Sequence, residues 1–298
     1  MIKEDMRVIK VIASDMDGTL LNSQNEITEE NVKAILKAEE LGISFIITTG
    51  RMYDGVKPFA DKHGLKCKYI LMNGAEFRDE NGDLIESINL DKSIIKDILN
   101  ILKEQNLVVE LYTDDGVYTP NTKEEVLEQM TYRVQYFQKV EDYDKAVEVA
   151  KERDIFKTLK YIDDIDKFLD GSIKVRKIIT FNGDFELIEN TKKILNNKIS
   201  GLSVLSSFVN NIEITDKKAQ KGYILRKVTE DMGIKNEEVM ALGDSFNDYS
   251  LFTEFEKAYA MENAIDEIKA IAKNTTDTND NSGVAKAIYK ELGIKNCI

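Results

Sequence analysis

Tryptophan is absent from this 298-residue chain, histidine occurs once (His63), and cysteine and proline occur twice each. Each scarcity weighs against a class of chemistry. A lone histidine argues against imidazole-rich metal sites and against Ser-His-Asp catalysis. Cys67 and Cys297 lie far apart in sequence with no metal-type spacing. Two isolated thiols fit a reducing compartment better than a disulfide scaffold. No stretch approaches the roughly 20 apolar residues that span a bilayer. The opening run MIKEDMRVIKVIASD is too charged, and its apolar part too short, for an export signal. A soluble, cytoplasmic protein is therefore expected. Basic residues are also outnumbered, 41 Lys and Arg against 54 Asp and Glu, for a formal charge of −13. That balance suits neither a nucleic-acid duplex nor an anionic membrane as partner. It leaves room for a small phosphorylated metabolite, because one site can be locally positive inside an acidic protein.

The length predicts two domains at roughly 100–200 residues each. The first third alternates in period. Residues 8–14 read as an apolar strand that stops at the acidic run Asp15–Thr19. Thr28 is a fitting N-cap for a helix with Val32, Ile35, Leu36 and Leu41 on one side, closed by Gly42. Residues 43–48 form a second strand ending in Thr-Gly-Arg, 53–63 a helix, and 69–72 a third strand ending in Asn73-Gly74. The last third repeats the pattern. A helix is expected over 219–232 with Ile224, Leu225, Val228 and Met232 inward. Strands are expected at 239–242 and 258–261, and helices at 264–273 and 283–291. This alternation is that of an α/β fold, a doubly wound, Rossmann-like parallel sheet wrapped by helices. The middle, 87–196, reads as an inserted α/β cap domain, with helices at 92–105, 123–130, 143–152 and 184–196. Strands fall near 108–113, 156–162 and 175–181. The expected core is thus discontinuous, 1–86 with 197–298, and the cap shows no site-like cluster of its own.

Four groups of residues can carry chemistry. Asp15-Met16-Asp17-Gly18-Thr19 follows the first strand, where ligands of open parallel sheets bind. Of two carboxylates one residue apart, one can attack while the other handles protons. A turn is the usual fate of Asp-x-Asp-Gly. An EF-hand calcium loop is excluded, because Leu20 occupies the place where glycine is needed. Thr48-Thr49-Gly50-Arg51 ends the second strand and offers a hydroxyl and N–H groups to an anion, or simply a helix cap. Lys221 lies near a helix start, where the dipole disfavours a cation; alone, a solvated lysine is the commoner explanation. Gly243-Asp244-Ser245-Phe246-Asn247-Asp248 follows another strand end, and its carboxylates suit magnesium or a capped helix start. Each group is ambiguous alone; together they place acids, a hydroxyl and a lysine at strand ends of one sheet.

In order, DMDGTL (15–20), TTGR (48–51), the lysine of QKGYIL (220–225) and GDSFNDYSLF (243–252) resemble the four motifs of the haloacid dehalogenase superfamily, specifically its Cof-type phosphatases of subclass IIB. The tail segments AMENAIDEIKAIA and TNDNSGVAKAI add to the likeness, which covers nearly the whole chain. The resemblance implies a Mg²⁺-dependent phosphatase hydrolysing small phosphorylated metabolites, such as sugar phosphates, through an aspartyl-phosphate. It implies Asp15 as nucleophile and metal ligand. Asp17 would be general acid/base with its backbone carbonyl on the metal, and Asp244 the other metal carboxylate. Asp248 would orient metal-bound water or Lys221. Thr49, the Gly50 N–H, the Met16 N–H, Asn247 and Lys221 would bind the phosphoryl group. Arg51 would touch substrate or pair with an acid. The alternatives are a phosphomannomutase-like phosphotransferase and a non-catalytic binding protein on the same fold. The intact Asp15–Asp17 pair weighs against the latter.

Overall fold

The computed structural model describes residues 9–294, so Val8 and Cys297 lie outside the described residues. The chain falls into two units, Met1–Ser87 with Lys218–Ile298, and Ile88–Lys217. In the first unit the chain runs β1 (Val11–Asp15), α1 (Glu29–Glu40), β2 (Ser44–Thr48), α2 (Lys57–His63), β3 (Cys67–Leu71), β4 (Glu76–Arg78) and β5 (Leu84–Ser87). The inserted unit follows with α3 (Lys92–Glu104), β6 (Val109–Thr113), β7 (Gly116–Thr119), α4 (Lys123–Gln138), α5 (Tyr143–Glu152) and α6 (Asp154–Thr158). It continues through β8 (Lys160–Tyr161), α7 (Ile165–Asp170), β9 (Val175–Phe181), α8 (Phe185–Lys198), β10 (Leu202–Leu205) and β11 (Asn211–Asp216). The first unit resumes with α9 (Lys221–Asp231), β12 (Val239–Gly243), α10 (Tyr249–Glu254), β13 (Lys257–Ala260), α11 (Asp266–Ile271), β14 (Asn274–Thr275) and α12 (Gly283–Leu292).

The first unit's sheet has the order β14-β13-β12-β1-β2-β3-β4-β5, parallel from β14 to β3 and antiparallel beyond. Every residue of β1 and β12 is buried, as a sheet covered on both faces requires. That is why these strands read as continuous apolar runs rather than alternating ones. Leaving β1, the chain builds outward through β2 and β3; after the insertion it returns to the other side of β1 through β12 and β13. The order therefore reverses beside β1. In register, Asp15 lies opposite Thr48 and Ser14 opposite Leu242, so the carboxyl ends of three strands meet at that reversal.

The α1 helix starts at Thr28, whose hydroxyl accepts from Asn31 N–H. Its buried stripe is Asn31, Ala34, Ile35 and Ala38, one face at helical spacing. Leu36, one step round, is 37% exposed, and Leu41, past the last turn, is 55% exposed, against the expectation that both face inward. Small residues sit inside because α1 packs closely on α12, where Asn31 accepts from Ala285 N–H at 2.9 Å. Met232 likewise lies just beyond α9 and is exposed.

The expected return to the core at residue 197 is corrected to residue 218. β10 and β11 pair with β9 and complete the second sheet, ordered β10-β11-β9-β6-β7-β8, and Ile212 and Ile214 enter that unit's core. The strand expected near 156–162 begins inside the helix α6, which runs to Thr158, and only Lys160–Tyr161 pair as a strand. Phe156 and Leu159 pack there against α4 and α5 in a separate small core, which a period-2 reading misses. Among the described residues, no helix is long and apolar enough to cross a membrane.

Removing Ile35 should be costly and removing Leu36 cheap. Ile35→Ala is expected to lose about 2–5 kcal/mol and Leu36→Ala about 1 kcal/mol or less in urea unfolding. Equal losses would mean that the buried face of α1 is misassigned.

Candidate active site

Lys221 opens α9 and is fully buried. Its ammonium donates to Asp15 Oδ1 at 2.5 Å and to Asp248 Oδ1 at 2.7 Å. Gly222 sets this placement: a Cβ there would lie 2.1 Å from the Ser250 carbonyl oxygen, so only glycine lets α9 start so close to α10. The Gly222 N–H donates to Ser250 Oγ at 2.9 Å and fastens the contact. The lysine that sequence alone would leave in solvent is thus the buried cation of an acidic cluster.

Asp248 has little freedom. Its other oxygen accepts from the backbone N–H groups of Asp244 and Ser245, at 2.9 and 3.1 Å. Asp244 is steadied by the Thr19 hydroxyl, which donates to Oδ1 at 2.7 Å. Asp15, Asp244 and Asp248 each present an oxygen within 4.8 Å of the others. Three carboxylates face one ammonium, leaving a formal charge of about −2 to be balanced. Hard oxygen donors with that deficit fit a small divalent cation. Because Asp248 is committed to Lys221 and two N–H groups, Asp15 and Asp244 are the carboxylates best placed as ligands.

The electrostatics agree. Burial, then the charges of Asp248, Asp244 and Asp17, hold the Asp15 carboxyl well above the ordinary range, with Lys221 opposing them. Burial and then Asp248 push Asp244 up to about 7, against the Thr19 hydrogen bond and Lys221. Burial alone would lower the Lys221 ammonium, but Asp15 and Asp248 outweigh it and keep it above its ordinary value.

Asp17 sits apart from this cluster. Arg51 grips it like a fork, Nε to Oδ2 at 2.9 Å and NH2 to Oδ1 at 2.5 Å. Of the two readings open for Arg51, the structure adopts pairing with an acid. The carboxyls whose protonated form burial and like charge favour are Asp15 and Asp244, whereas the carboxylate facing a guanidinium is Asp17. The remaining expected residues gather at the same strand ends. Met16 is buried, and its carbonyl accepts from Leu20 and Leu21 N–H. Thr49 is buried, and its hydroxyl accepts from Arg51 N–H at 3.2 Å across Gly50. Asn247 is buried and donates to Asn73 Oδ1 at 3.3 Å.

Sequence reading missed Asn73 and Thr19 here. Thr19 was within reach, being part of the acidic run; Asn73 showed only as an ordinary Asn-Gly turn. In the second unit it also missed two buried ion pairs, Arg133–Glu110 at 2.6 Å and Lys177–Glu213 at 3.0 Å. Their partners are 23 and 36 residues apart on different elements, so no local pattern announces them.

A family model described as haloacid dehalogenase-like hydrolase matches residues 12–288. Phosphatase YwpJ of Bacillus subtilis is 33% identical over 279 residues, covering 93% of this chain and 98% of its own. The 5-amino-6-(5-phospho-D-ribitylamino)uracil phosphatase YwtE of the same bacterium is 34% identical over 284 residues, covering 95% and 98%. A solved haloacid dehalogenase-like hydrolase from B. subtilis superposes with a TM-score of 0.79 at 32% identity, over 94% of this chain and 99% of that one. The chain belongs to the haloacid dehalogenase-like hydrolases. Its enzyme class is that of their phosphatases.

Lys221→Met would leave two buried carboxylates without their cation. A loss of about 3 kcal/mol or more is expected, read as a lowered urea midpoint; an unchanged midpoint would contradict the buried pairing. A pH effect follows from Asp244, whose carboxyl rises from 3.8 to about 7 on folding. Between those values the folded protein holds a proton that the unfolded chain releases. Metal-free stability should therefore fall as pH rises through this window. Thermal midpoints in EDTA from pH 5 to 8 check this, and Asp244→Asn should reduce the slope.

Proposed function

We propose that the protein is a Mg²⁺-dependent phosphatase that releases inorganic phosphate from small phosphorylated metabolites through an aspartyl-phosphate on Asp15. The observation that carries this reading is the buried contact of Lys221 with Asp15 and Asp248 at the reversal point of the sheet, with Asp244 beside them. A nucleophilic carboxylate and a phosphate dianion repel each other, and this cluster holds the groups that offset the repulsion. Asp15, Asp244 and the Asp17 backbone carbonyl would hold Mg²⁺, which when bound supplies charge neutralisation at the phosphoryl oxygens.

The chain's own residues do the rest. Lys221 fixes the rotation of the Asp15 carboxylate and adds positive charge. The Thr49 hydroxyl, the Gly50 and Met16 N–H groups and the Asn247 carboxamide bind phosphoryl oxygens. An Asp15 oxygen forms a bond to phosphorus as the bond to the ester oxygen breaks, and Asp17 gives its proton to that leaving oxygen. Asp17 then takes a proton from water, whose oxygen attacks phosphorus and returns Asp15 as carboxylate with free phosphate. Both Asp17 oxygens accept from Arg51 in the resting arrangement, so Asp17 must leave that fork and take up a proton from solvent before it can protonate the leaving oxygen.

For substrate class, sugar and sugar-alcohol phosphates are favoured. The similarity to YwtE, named for a phospho-ribityl compound, supports a polyol phosphate over a nucleic acid. A panel of sugar phosphates, ribityl phosphates, nucleotides and pyridoxal phosphate, assayed with Mg²⁺ and with EDTA, tests the reading. Release should need Mg²⁺ and no added bisphosphorylated sugar. It should fall at least ~1,000-fold in Asp15→Asn and at least ~100-fold in Asp17→Asn. Undiminished release by Asp15→Asn would sink the aspartyl-phosphate route.

A further inference from the structure

The turn between β3 and β4 has an unusual backbone. Met72, Asn73 and Gly74 all have positive φ, at 49°, 58° and 102°. Two successive non-glycine residues in the left-handed region are disfavoured sterically, and methionine gains nothing there from a local side-chain hydrogen bond. Such a conformation persists where its surroundings over-determine it, and it collects at functional sites.

What over-determines it is the candidate phosphoryl loop. Met72 N–H donates to the Arg51 carbonyl at 3.1 Å, and Asn73 N–H to the Thr49 carbonyl at 3.0 Å. In a trans peptide the carbonyl and the following N–H point in opposite directions. Holding the Thr49 carbonyl therefore turns the Gly50 N–H to the far side of that peptide. The third residue is locked as well: a Cβ on Gly74 would lie 2.7–2.8 Å from backbone atoms of Gln220, the residue before Lys221. The Asn73 side chain, 1% exposed, accepts from Asn247 Nδ2 at 3.3 Å. One short turn thus touches the TTGR loop, the lysine segment and the loop after β12.

We propose that Asn73 is a positioning residue for phosphoryl recognition. Its backbone N–H aims the Gly50 N–H, and its carboxamide aims the Asn247 carboxamide. The proposal rests on the reading that Gly50 and Asn247 bind the phosphoryl group.

Three variants separate the two roles. Asn73→Gly keeps the left-handed backbone and removes the carboxamide. Asn73→Ala removes the carboxamide and disfavours that backbone. Asn73→Ser, which also lacks the carboxamide and tolerates that backbone less well than glycine, serves if Asn73→Ala does not fold. Inorganic phosphate affinity with Mg²⁺, measured calorimetrically, is read together with kcat and KM on p-nitrophenyl phosphate and with the thermal midpoint. In Asn73→Gly the midpoint should stay within about 4 °C of wild type. Phosphate Kd should rise about tenfold, and kcat/KM should fall by that factor or more. Asn73→Ala should bind phosphate more weakly still, and adding Asn73→Gly to Asn247→Ala should cost little beyond Asn247→Ala alone. Wild-type phosphate affinity and kcat/KM in Asn73→Gly would overturn the carboxamide role. Equal affinities in Asn73→Gly and Asn73→Ala would overturn the backbone role. A wild type that binds phosphate but hydrolyses no ester would defeat the phosphatase reading, leaving the Kd comparison to decide on Asn73. Intact hydrolysis with unchanged Asn73 variants would defeat this inference alone.

Discussion

The arrangement of the first unit depends on the buried ammonium of Lys221. Burying an ion carries a desolvation penalty of several kcal/mol, recovered only with close partners of opposite charge. Its partners, Asp15 and Asp248, are 206 and 27 residues away, at the end of β1 and on the loop after β12. Satisfying the lysine therefore requires β1 and β12 to be adjacent and in register, and α9 to begin where Gly222 allows it to meet Ser250. The insertion between Ser87 and Lys218 is tolerated because the segments on either side are fixed by this sheet and this contact.

The same contact sets the site's charge balance. One lysine cannot neutralise three carboxylates, so the metal-free cluster is held together by hydrogen bonds to backbone N–H groups and Thr19, and by partial protonation of Asp15 and Asp244. Such a cluster favours a divalent cation for a reason that does not depend on kinship. Asp17, two residues from Asp15, is paired instead with Arg51. Two carboxylates two residues apart thus meet different environments, one buried among acids and one paired with a guanidinium.

Much of this was legible beforehand. Buried parallel strands announce themselves as apolar runs, and the acidic and hydroxyl residues after them follow from where open sheets bind ligands. The long helix stripes were legible in part: Ile35 was placed correctly, whereas Leu36 and Leu41 were not, because small residues turned out to form the contact with α12. The second boundary was missed by about twenty residues, since β10 and β11 look like any short strands until their pairing with β9 is known. Lys221 was recognisable only through motif resemblance; nothing in Gln-Lys-Gly shows that the lysine is buried.

The sequence by itself determined the α/β alternation, the order of the chemistry-bearing segments and the choice of oxygen donors over sulfur or imidazole. These are local properties, written in apolar period, turn residues and composition. Tertiary structure alone decided which groups face each other: Lys221 with Asp15 and Asp248, Asp17 with Arg51, Asn73 with Asn247, and the closing strands of the inserted sheet. The reason is physical. Burial, ion pairing and pKa depend on distances between residues remote in sequence, and those distances are fixed only once the sheet has paired its strands.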